Sequence, residues 1–453
     1  MKVCILKGIK LILALKLKNF KSIKDSGAIK LRPLTIFAGP NASGKSNILE
    51  GLAFLAQMTG LPPDTSHTFH GNLQYGEFMR YPYPVPVDSL VHKKDLNVWI
   101  SFEVKVGTRT RTLSGVMIRA TSYIYDYRPA SEEVRQHLYR GKKHIVGFSY
   151  KKVEDGGYQS RFIHPPSLKG RGAPRGNEAL NIENLKGSPS EEASEISEAL
   201  RLARTAMGTI IQQLRKVYFV SAERGHVELR VTVSPEIGPR MEREGPTWVG
   251  RNGEYLIELL ASIFGARAHI KKANKIDKWA RKFGIGNIKA GWRGQNFLGS
   301  DFNDPILKSP LELTFASYGS RQLLTVITQL FWSKPGDTIL IEEPEMSLHP
   351  ESQILLQELF AEAIREGKQI ICTTHSPFFI LALSKVIRTK KLSKNDVAIY
   401  HVEKKKKGTE IKKLELNEQG FVTKWIPSYI DIENELFHEW AKSFEEKKYQ
   451  RSR

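Results

Sequence analysis

Short unbroken apolar runs, separated by helix-spaced apolar positions, set the pattern of the chain. Leu34-Thr35-Ile36-Phe37-Ala38, Val217-Tyr218-Phe219-Val220, Thr338-Ile339-Leu340-Ile341 and Gln369-Ile370-Ile371-Cys372-Thr373-Thr374 read as buried strands. Each is short, β-prone and free of charge. Between them Ile48, Leu49, Leu52, Leu55 and Ala56 fall on one helical face, as do Leu323, Leu324, Val326, Ile327 and Leu330. Ile354, Leu355, Leu359 and Ala363 follow the same spacing behind Pro350. Buried strands alternating with helices predict an α/β fold.

The middle of the chain has a different rhythm. Leu96 to Val106, Thr112 to Ile118, Ile145 to Tyr150 and Gln159 to Ile163 read as strands. Asp155-Gly156-Gly157 supplies a hairpin turn between the last two, so residues 96–165 are expected to form an antiparallel β-layer. Tyr75 to Val87, with Tyr81-Pro82-Tyr83-Pro84, reads as a loop. Residues 166–187 open with a Gly, Pro, Lys and Arg-rich stretch that reads as a flexible basic loop, usually solvated but able to touch phosphates. A helix is expected from Ser188 to Arg215, with Ser188 as N-cap and Pro189 as first residue. Helices around Tyr255 to Phe264 and Ile276 to Phe283 complete a helical insertion. Near the end, Lys404 to Lys407 and Lys412-Lys413 flank a hairpin, and Glu433 to Lys448 reads as a charged helix. No heptad run or internal repeat is present.

Chemistry enters at the end of the first buried strand. Residues 39–46 read Gly39-Pro40-Asn41-Ala42-Ser43-Gly44-Lys45-Ser46, followed by Asn47. This is an uninterrupted G-x-x-x-x-G-K-S between a strand and a helix, the phosphate-cradling P-loop. The glycines let backbone wrap phosphate oxygens, and the amides and helix N-terminus face the anion. Lys45 is expected on the β/γ-phosphates and the Ser46 hydroxyl on Mg²⁺. A chance Gly-rich turn is the bland alternative, and the strand–loop–helix context argues against it.

The strand at 338–341 ends in Glu342-Glu343-Pro344-Glu345. Adjacent carboxylates at a buried strand end make sense where a cation or water lies. As a Walker B pair, Glu342 would hold Mg²⁺ and Glu343 would polarise the attacking water. His375 follows one strand–helix–strand unit later, where a γ-phosphate sensor is useful. Ser317-Tyr318-Gly319 opens another helix and offers a second anion-binding end. One subunit rarely needs two such ends for one triphosphate. The economical reading caps the γ-phosphate of another subunit with this one; an ordinary Ser N-cap is the alternative.

Composition narrows the class. Apolar residues are 40% and charged residues 26% of 453, as in a soluble globular protein long enough for an α/β core plus a second unit. Only Cys4 and Cys372 occur, without metal spacing, which argues for a reducing cytoplasmic setting. Lys2, Lys7 and Lys10 interrupt the apolar start, so Met1 to Leu15 reads as a first strand rather than a signal peptide. No run approaches a membrane span, and no membrane partner is expected. The formal net charge of +21 points to a polyanion such as DNA, against the alternative of a Lys/Glu-rich surface of the heat-adapted kind.

P-loop, Ser-x-Gly helix, Glu-Glu strand and His strand stand in this order, and with them the chain resembles the ABC-type, AAA-like P-loop ATPase heads of the SMC, RecF and OLD proteins. The resemblance covers about residues 10–60 and 310–400. Asn19-Phe20-Lys21-Ser22 resembles their N-terminal strand, and Ala316 to Gln322 the signature, with Ser317 and Gly319 facing phosphate. Ser347 to Pro350 resembles the D-loop, carrying Ser347 and His349; His375 resembles the switch histidine, and Arg224 a recurrent arginine of OLD-like ATPases. The chain departs at Tyr318, at Ser320 and at Glu342, which stands for Asp; Gln74 is the positional candidate for a metal-facing Q-loop glutamine.

The resemblance implies ATP and Mg²⁺ as cofactors, Mg-dependent hydrolysis to ADP, and an ATP-dependent head-to-tail dimer. Its implied setting is repair, recombination or anti-phage defence on DNA, with a separately encoded nuclease or effector as partner. An ATP-gated protein regulator without DNA is the alternative. OLD nucleases add a TOPRIM domain, but the tail here lacks an Asp-x-Asp, so nuclease activity is not expected. The expected layout is 1–95 with the P-loop, 96–165 as β-layer, 166–310 as basic loop and helical insertion, and 311–453 with the remaining ATPase motifs.

Overall fold

The computed structural model describes residues 9–60, 87–112, 115–152, 158–164, 166, 169, 201, 205–225, 231–232, 246–294, 297–303 and 309–423. Gln74, the turn at 155–157, most of the 166–187 loop, the start of the helix at Ser188 and the charged helix at 433–448 lie outside them.

Three strands open the described chain: β1 (Lys10–Phe20), β2 (Ile23–Asp25) and β3 (Ile29–Lys30). The buried strand β4 (Leu34–Ala38) and helix α1 (Lys45–Gly60) follow. An antiparallel meander comes next: β5 (Ile100–Thr112), β6 (Gly115–Arg128), β7 (Glu133–Arg140), β8 (Lys143–Lys152) and β9 (Tyr158–His164). β1 pairs antiparallel with β5, so the sheet runs β2-β1-β5-β6-β7-β8-β9, with β3 also on β1. The antiparallel layer expected over 96–165 is therefore present, and the N-terminal strand is part of it. The strand expected over Thr112–Ile118 instead straddles the β5–β6 connection. The second half of β6 and all of β7 escape the pattern reading, although Tyr123, Tyr125 and Tyr127 are buried at period two.

The second half begins with β10 (Val217–Val220), followed by β11 (Val231–Thr232), β12 (Gly286–Trp292), β13 (Phe297–Asn303) and β14 (Pro310–Glu312). It ends with β15 (Thr338–Ile341), β16 (Gln369–Thr374), β17 (Val397–Lys405) and β18 (Gly408–Leu414). The central sheet has the order β10-β15-β16-β4-β17-β18 and is parallel throughout except for the β17–β18 hairpin. Parallel pairing sets the C-terminal ends of β4, β15 and β16 side by side, with Ile341 opposite Cys372 and Thr374 opposite Ala38. Ligands of α/β sheets bind at that edge.

Side chains on the central strands alternate between two cores. Ile36, Ile339, Ile341, Ile370 and Cys372 join the cluster built with helices Leu256–Gly265, Tyr318–Trp332 and Pro350–Arg365. Phe37, Leu340 and Ile371 join the opposite cluster, with α1 and the β-layer. Both faces are covered, which is why the strands read as continuous apolar runs. On α1, Gly51 lets the helix lie against β1: a Cβ there would come within 2.8 Å of Leu17 Cδ1. Gln369 ties the layers by accepting from Ile12 N and Thr338 Oγ1 while donating to Ile12 O and Arg32 O. The insertion is more than helical: helices Leu256–Gly265 and Ile270–Lys282 pack with a small antiparallel sheet of β11–β14. Among the described residues no helix is long and apolar enough to cross a membrane.

Candidate nucleotide-binding site

The P-loop occupies the gap between Ala38 at the end of β4 and Lys45 at the start of α1. Two glycines are sterically required. A Cβ on Gly39 would lie 2.1 Å from Val402 O on β17. Gly44 has φ +97°, and a Cβ there would lie 2.4 Å from Thr409 Oγ1 and 2.5 Å from Ser22 Oγ. Those two hydroxyls form the loop's backing. Ser22 Oγ and Thr409 Oγ1 share a hydrogen bond at 2.7 Å, Asn47 Nδ2 donates to Ser22 Oγ at 2.7 Å, and Thr409 Oγ1 donates to Ser43 O at 3.0 Å. Ala42 has φ 57°, a local reversal that helps turn the loop back on itself.

Lys45 is folded onto its own loop, donating to Gly39 O at 3.0 Å and Pro40 O at 2.8 Å. It is 5% exposed, and burial pushes its pKa down to about 8, against the pull of Glu343, Glu345 and Glu342. A phosphate arriving at the loop would add negative charge to the pull of those three carboxylates.

The acids gather at the neighbouring strand ends. Glu342 is buried and accepts from Ala222 N at 3.3 Å. Burial raises its pKa, and the Ser46 hydroxyl beside it works against that rise. Glu343 has φ 41°, its amide donates to Thr373 Oγ1 at 3.2 Å, and its carboxylate lies 3.0 Å from His375 Nε2. That histidine contact holds the Glu343 pKa below the usual carboxylate range, so the group is ionised at neutral pH. Glu345 accepts from Thr374 Oγ1 at 2.6 Å and His375 N at 3.0 Å. Its other oxygen is buried without a hydrogen-bond partner among the described residues, and burial raises its pKa.

The structure therefore brings Lys45, Ser46, Glu342, Glu343 and His375 to one edge of the sheet. Ser317 and Gly319 lie at the start of another helix, Tyr318–Trp332. Ser317 caps helix Tyr318–Trp332, accepting from Ser320 N at 3.2 Å, and is exposed. Gly319 packs on the turn that follows the acids: a Cβ there would lie 2.6 Å from Ser347 O. Ser347 itself has φ 62°. His349 is the N-cap of the next helix, its Nδ1 accepting from Glu351 N at 3.4 Å. Among the described residues no hydrogen bond joins Ser317 or Gly319 to the P-loop. Sequence reasoning passes over Glu345 and Thr373 as site residues, although Glu345 stands in the same acidic run. The Ser22–Thr409 backing spans the whole chain and leaves no local signal.

The donor set fits Mg²⁺. A hydroxyl (Ser46) and a carboxylate (Glu342) face each other as hard oxygens, the share that protein supplies when phosphate and water complete the shell. Among the described residues no cluster of His, Cys, Asp or Glu could hold a metal by itself.

Residues 11–96 and 250–380 match a family described as an AAA ATPase domain. Those segments contain the P-loop, the Ser317 helix, the acidic strand end and His375. No curated protein matches the sequence. The structure is similar to the solved Smc head bound to the C-winged helix domain of ScpA, with 15% identity, TM-score 0.41, and coverage of 90% of this chain and 98% of that one. It is similar to the Pyrococcus furiosus Smc head with an extended coiled coil bound to the C-terminal domain of ScpA, with 13% identity, TM-score 0.44, and coverage of 90% and 97%. The SMC head of Thermotoga maritima gives 12% identity, TM-score 0.36, and coverage of 90% and 100%. Over those two segments the chain is similar to an AAA ATPase domain, and the motif order along its parallel sheet is that of an α/β P-loop ATPase fold.

Proposed function

We propose that this chain binds ATP with Mg²⁺, hydrolyses it, and uses the cycle as a dimerisation switch. The observation behind this reading is that the P-loop, Glu342, Glu343 and His375 meet at three adjacent strand ends, while the start of the Ser317 helix is exposed and makes no hydrogen bond to the P-loop among the described residues. Two copies placed head to tail would each present Ser317 and Gly319 to the other's γ-phosphate. Phe315, 72% exposed, and Tyr318 flank that cap and would be covered by the pairing.

Catalysis in this reading is positioning and charge stabilisation. The P-loop amides and Lys45 hold the β/γ-phosphates. Glu343, ionised and fixed by Thr373 and His375, orients water in line with the γ-phosphate and draws off its proton. His375 would read whether that phosphate is present. Ser46 and Glu342 would hold the Mg²⁺, which would neutralise charge on the β/γ oxygens.

DNA is the partner this reading favours. The β17–β18 hairpin exposes Lys404, Lys405, Lys406 and Lys407 at its tip, and among the described residues no ion pair engages Lys404, Lys406 or Lys407. Thr409, two residues on, donates to the P-loop backbone, so a polyanion at the tip would lie beside the nucleotide.

Phosphate release, measured for the wild type beside Glu343→Gln with and without duplex DNA, tests the proposal. Turnover that depends on Glu343 and rises with DNA supports it. Glu343-dependent turnover indifferent to DNA moves the output to a protein effector. A monomer at saturating ATP in light scattering refutes the pairing.

A further inference from the structure

Arg224 is the unusual charge in this molecule. It is fully buried and pairs with no carboxylate among the described residues. Its guanidinium donates to carbonyls alone: Nη1 to Ser221 O at 3.0 Å and Glu342 O at 2.5 Å, and Nη2 to Glu343 O at 2.8 Å. Burial lowers its pKa to about 10, so it stays charged at neutral pH. A buried cation is costly to keep unless its hydrogen bonds do something that neutral groups cannot.

Those bonds land on the backbone of both acids. Glu343 has φ 41°, in the left-handed region that non-glycine residues seldom adopt. The reversal is held from both sides. Arg224 takes the carbonyls of Glu342 and Glu343, and Thr373 Oγ1 accepts from the Glu343 amide. Between them the Glu343 carboxylate is turned toward His375.

The segment that carries Arg224 reaches a second element. Gln322, in the first turns of the helix capped by Ser317, donates to Ala222 O at 3.1 Å. Gly225 has φ +97° and lies so close that a Cβ would fall 2.9 Å from Gln322 Cγ and 3.0 Å from Gln322 N. Ser221 Oγ donates to Asn252 Oδ1 at 2.6 Å and Gly225 N donates to Asn252 O at 3.0 Å, fixing the strap from behind. Residues 221–225 are thus wedged between the acid-bearing strand end and the Ser317 helix.

We propose that Arg224 is a positioning residue for Glu343, and that the 221–225 strap relays the placement of the Ser317 helix to that acid within one chain. A shift of the helix on docking against a second copy moves Gln322, the strap, and with it the carbonyls that set the Glu343 carboxylate. This rests on the reading of Glu343 as the group that activates water.

The test is a double-mutant cycle on the full chain with Arg224→Lys and Glu343→Gln, reading ATP affinity, kcat and thermal unfolding. Lysine keeps the charge but cannot hold two carbonyls in a fixed fork. Arg224→Lys should leave ATP affinity within about threefold and lower kcat about 10–100-fold. In the Glu343→Gln background the same change should have no further effect, because both act through one group. An equal loss in both backgrounds overturns the proposal, as does unchanged kcat in folded Arg224→Lys. If Glu343→Gln alone turns over at the wild-type rate, the underlying reading fails instead, and the two failures are distinguishable. Should Arg224→Lys not fold, Gln322→Ala enters the same cycle: it removes the Ala222 bond from the helix side of the strap. It is expected to lower kcat only when Glu343 is present, and no effect overturns the relay.

Discussion

Nucleotide binding should take up a proton, and Lys45 should be where it goes. Its ammonium donates to Gly39 O and Pro40 O, and burial lowers its pKa to about 8 against the pull of Glu343, Glu345 and Glu342. A bound triphosphate adds several negative charges at hydrogen-bonding distance, which returns the pKa to the ordinary lysine range or above. Lys45 then goes from partly to fully protonated on binding. The uptake expected from such a titration is a small fraction of a proton at pH 7 and grows toward a whole one as pH rises through 8 to 9. Calorimetric titration with ATP in buffers of different ionisation enthalpy reads this number directly. Above pH 8 the phosphate's own protonation no longer contributes. Lys45→Met should abolish the uptake along with most of the affinity. Uptake that does not grow from pH 7 to 9, or that survives in Lys45→Met, refutes the argument.

The same shift has a consequence for the empty protein, of defined sign. The folded pKa lies below the unfolded value of 10.5, so between pH 8 and 10.5 the unfolded chain binds more protons than the folded one. Stability must therefore rise with pH across that window through this group, by up to about 3 kcal/mol. The comparison that isolates it is wild type against Lys45→Met in denaturant titrations at both ends of the window.

Other expectations follow from single contacts. Glu343→Gln should slow turnover about 10²–10⁴-fold and leave ATP-bound dimers visible in light scattering, while the wild type cycles back to monomer. Gly319→Ala places a methyl 2.6 Å from Ser347 O and should cost about 1–3 kcal/mol in thermal unfolding. ATP-driven pairing should weaken with it, and ATP binding by the monomer should persist; an unchanged dimerisation midpoint counts against the trans role of that helix. Reversing Lys404, Lys406 and Lys407 to Glu should leave ATP turnover without DNA intact and reduce DNA affinity. The slope of log affinity against log salt should flatten by about one for each phosphate that the hairpin no longer neutralises. An unaltered slope removes the hairpin from the DNA surface.

How much of this is legible in the sequence depends on the range of the interaction that decides each part. The strands β4, β15 and β16 are readable to the residue, because burial on both faces stamps a local apolar run. The P-loop is readable because its backbone demands glycine at fixed spacing. The helix at Pro350–Arg365 is readable as an element, but its buried stripe is shifted: Leu356, Leu359, Phe360 and Ala363 are fully buried, and Ile354 and Leu355 only in part. Strands β6 and β7 mix charges with aromatics and are half hidden. The β11–β14 sheet is hidden because Gly, Lys and Asp dilute its pattern. What no local pattern can show is contact across the chain. Ser22 meets Thr409, and Arg224 meets the carbonyls of Glu342 and Glu343, only after the sheet has formed.

The part hidden from the pattern is also the part that joins the two halves of the site. In the proposed cycle the P-loop and the acids are the hydrolytic half, supplied by one chain, and the Ser317 helix is the cap, offered to another. Were these independent, pairing would add only binding energy to the nucleotide and leave the acid as it was. But Gly319 lies on Ser347 in the turn that follows the acids, and Gln322 lies on the strap that holds their carbonyls. In the proposed relay, a helix in contact with the acid-bearing segment on two sides carries that segment with it when it moves against a partner. Closure and catalysis are then one event in the proposed cycle, and turnover should rise with protein concentration in step with dimer formation. A rate per chain that stays flat from far below to far above the dimerisation midpoint would separate the two and leave Glu343 competent in the monomer.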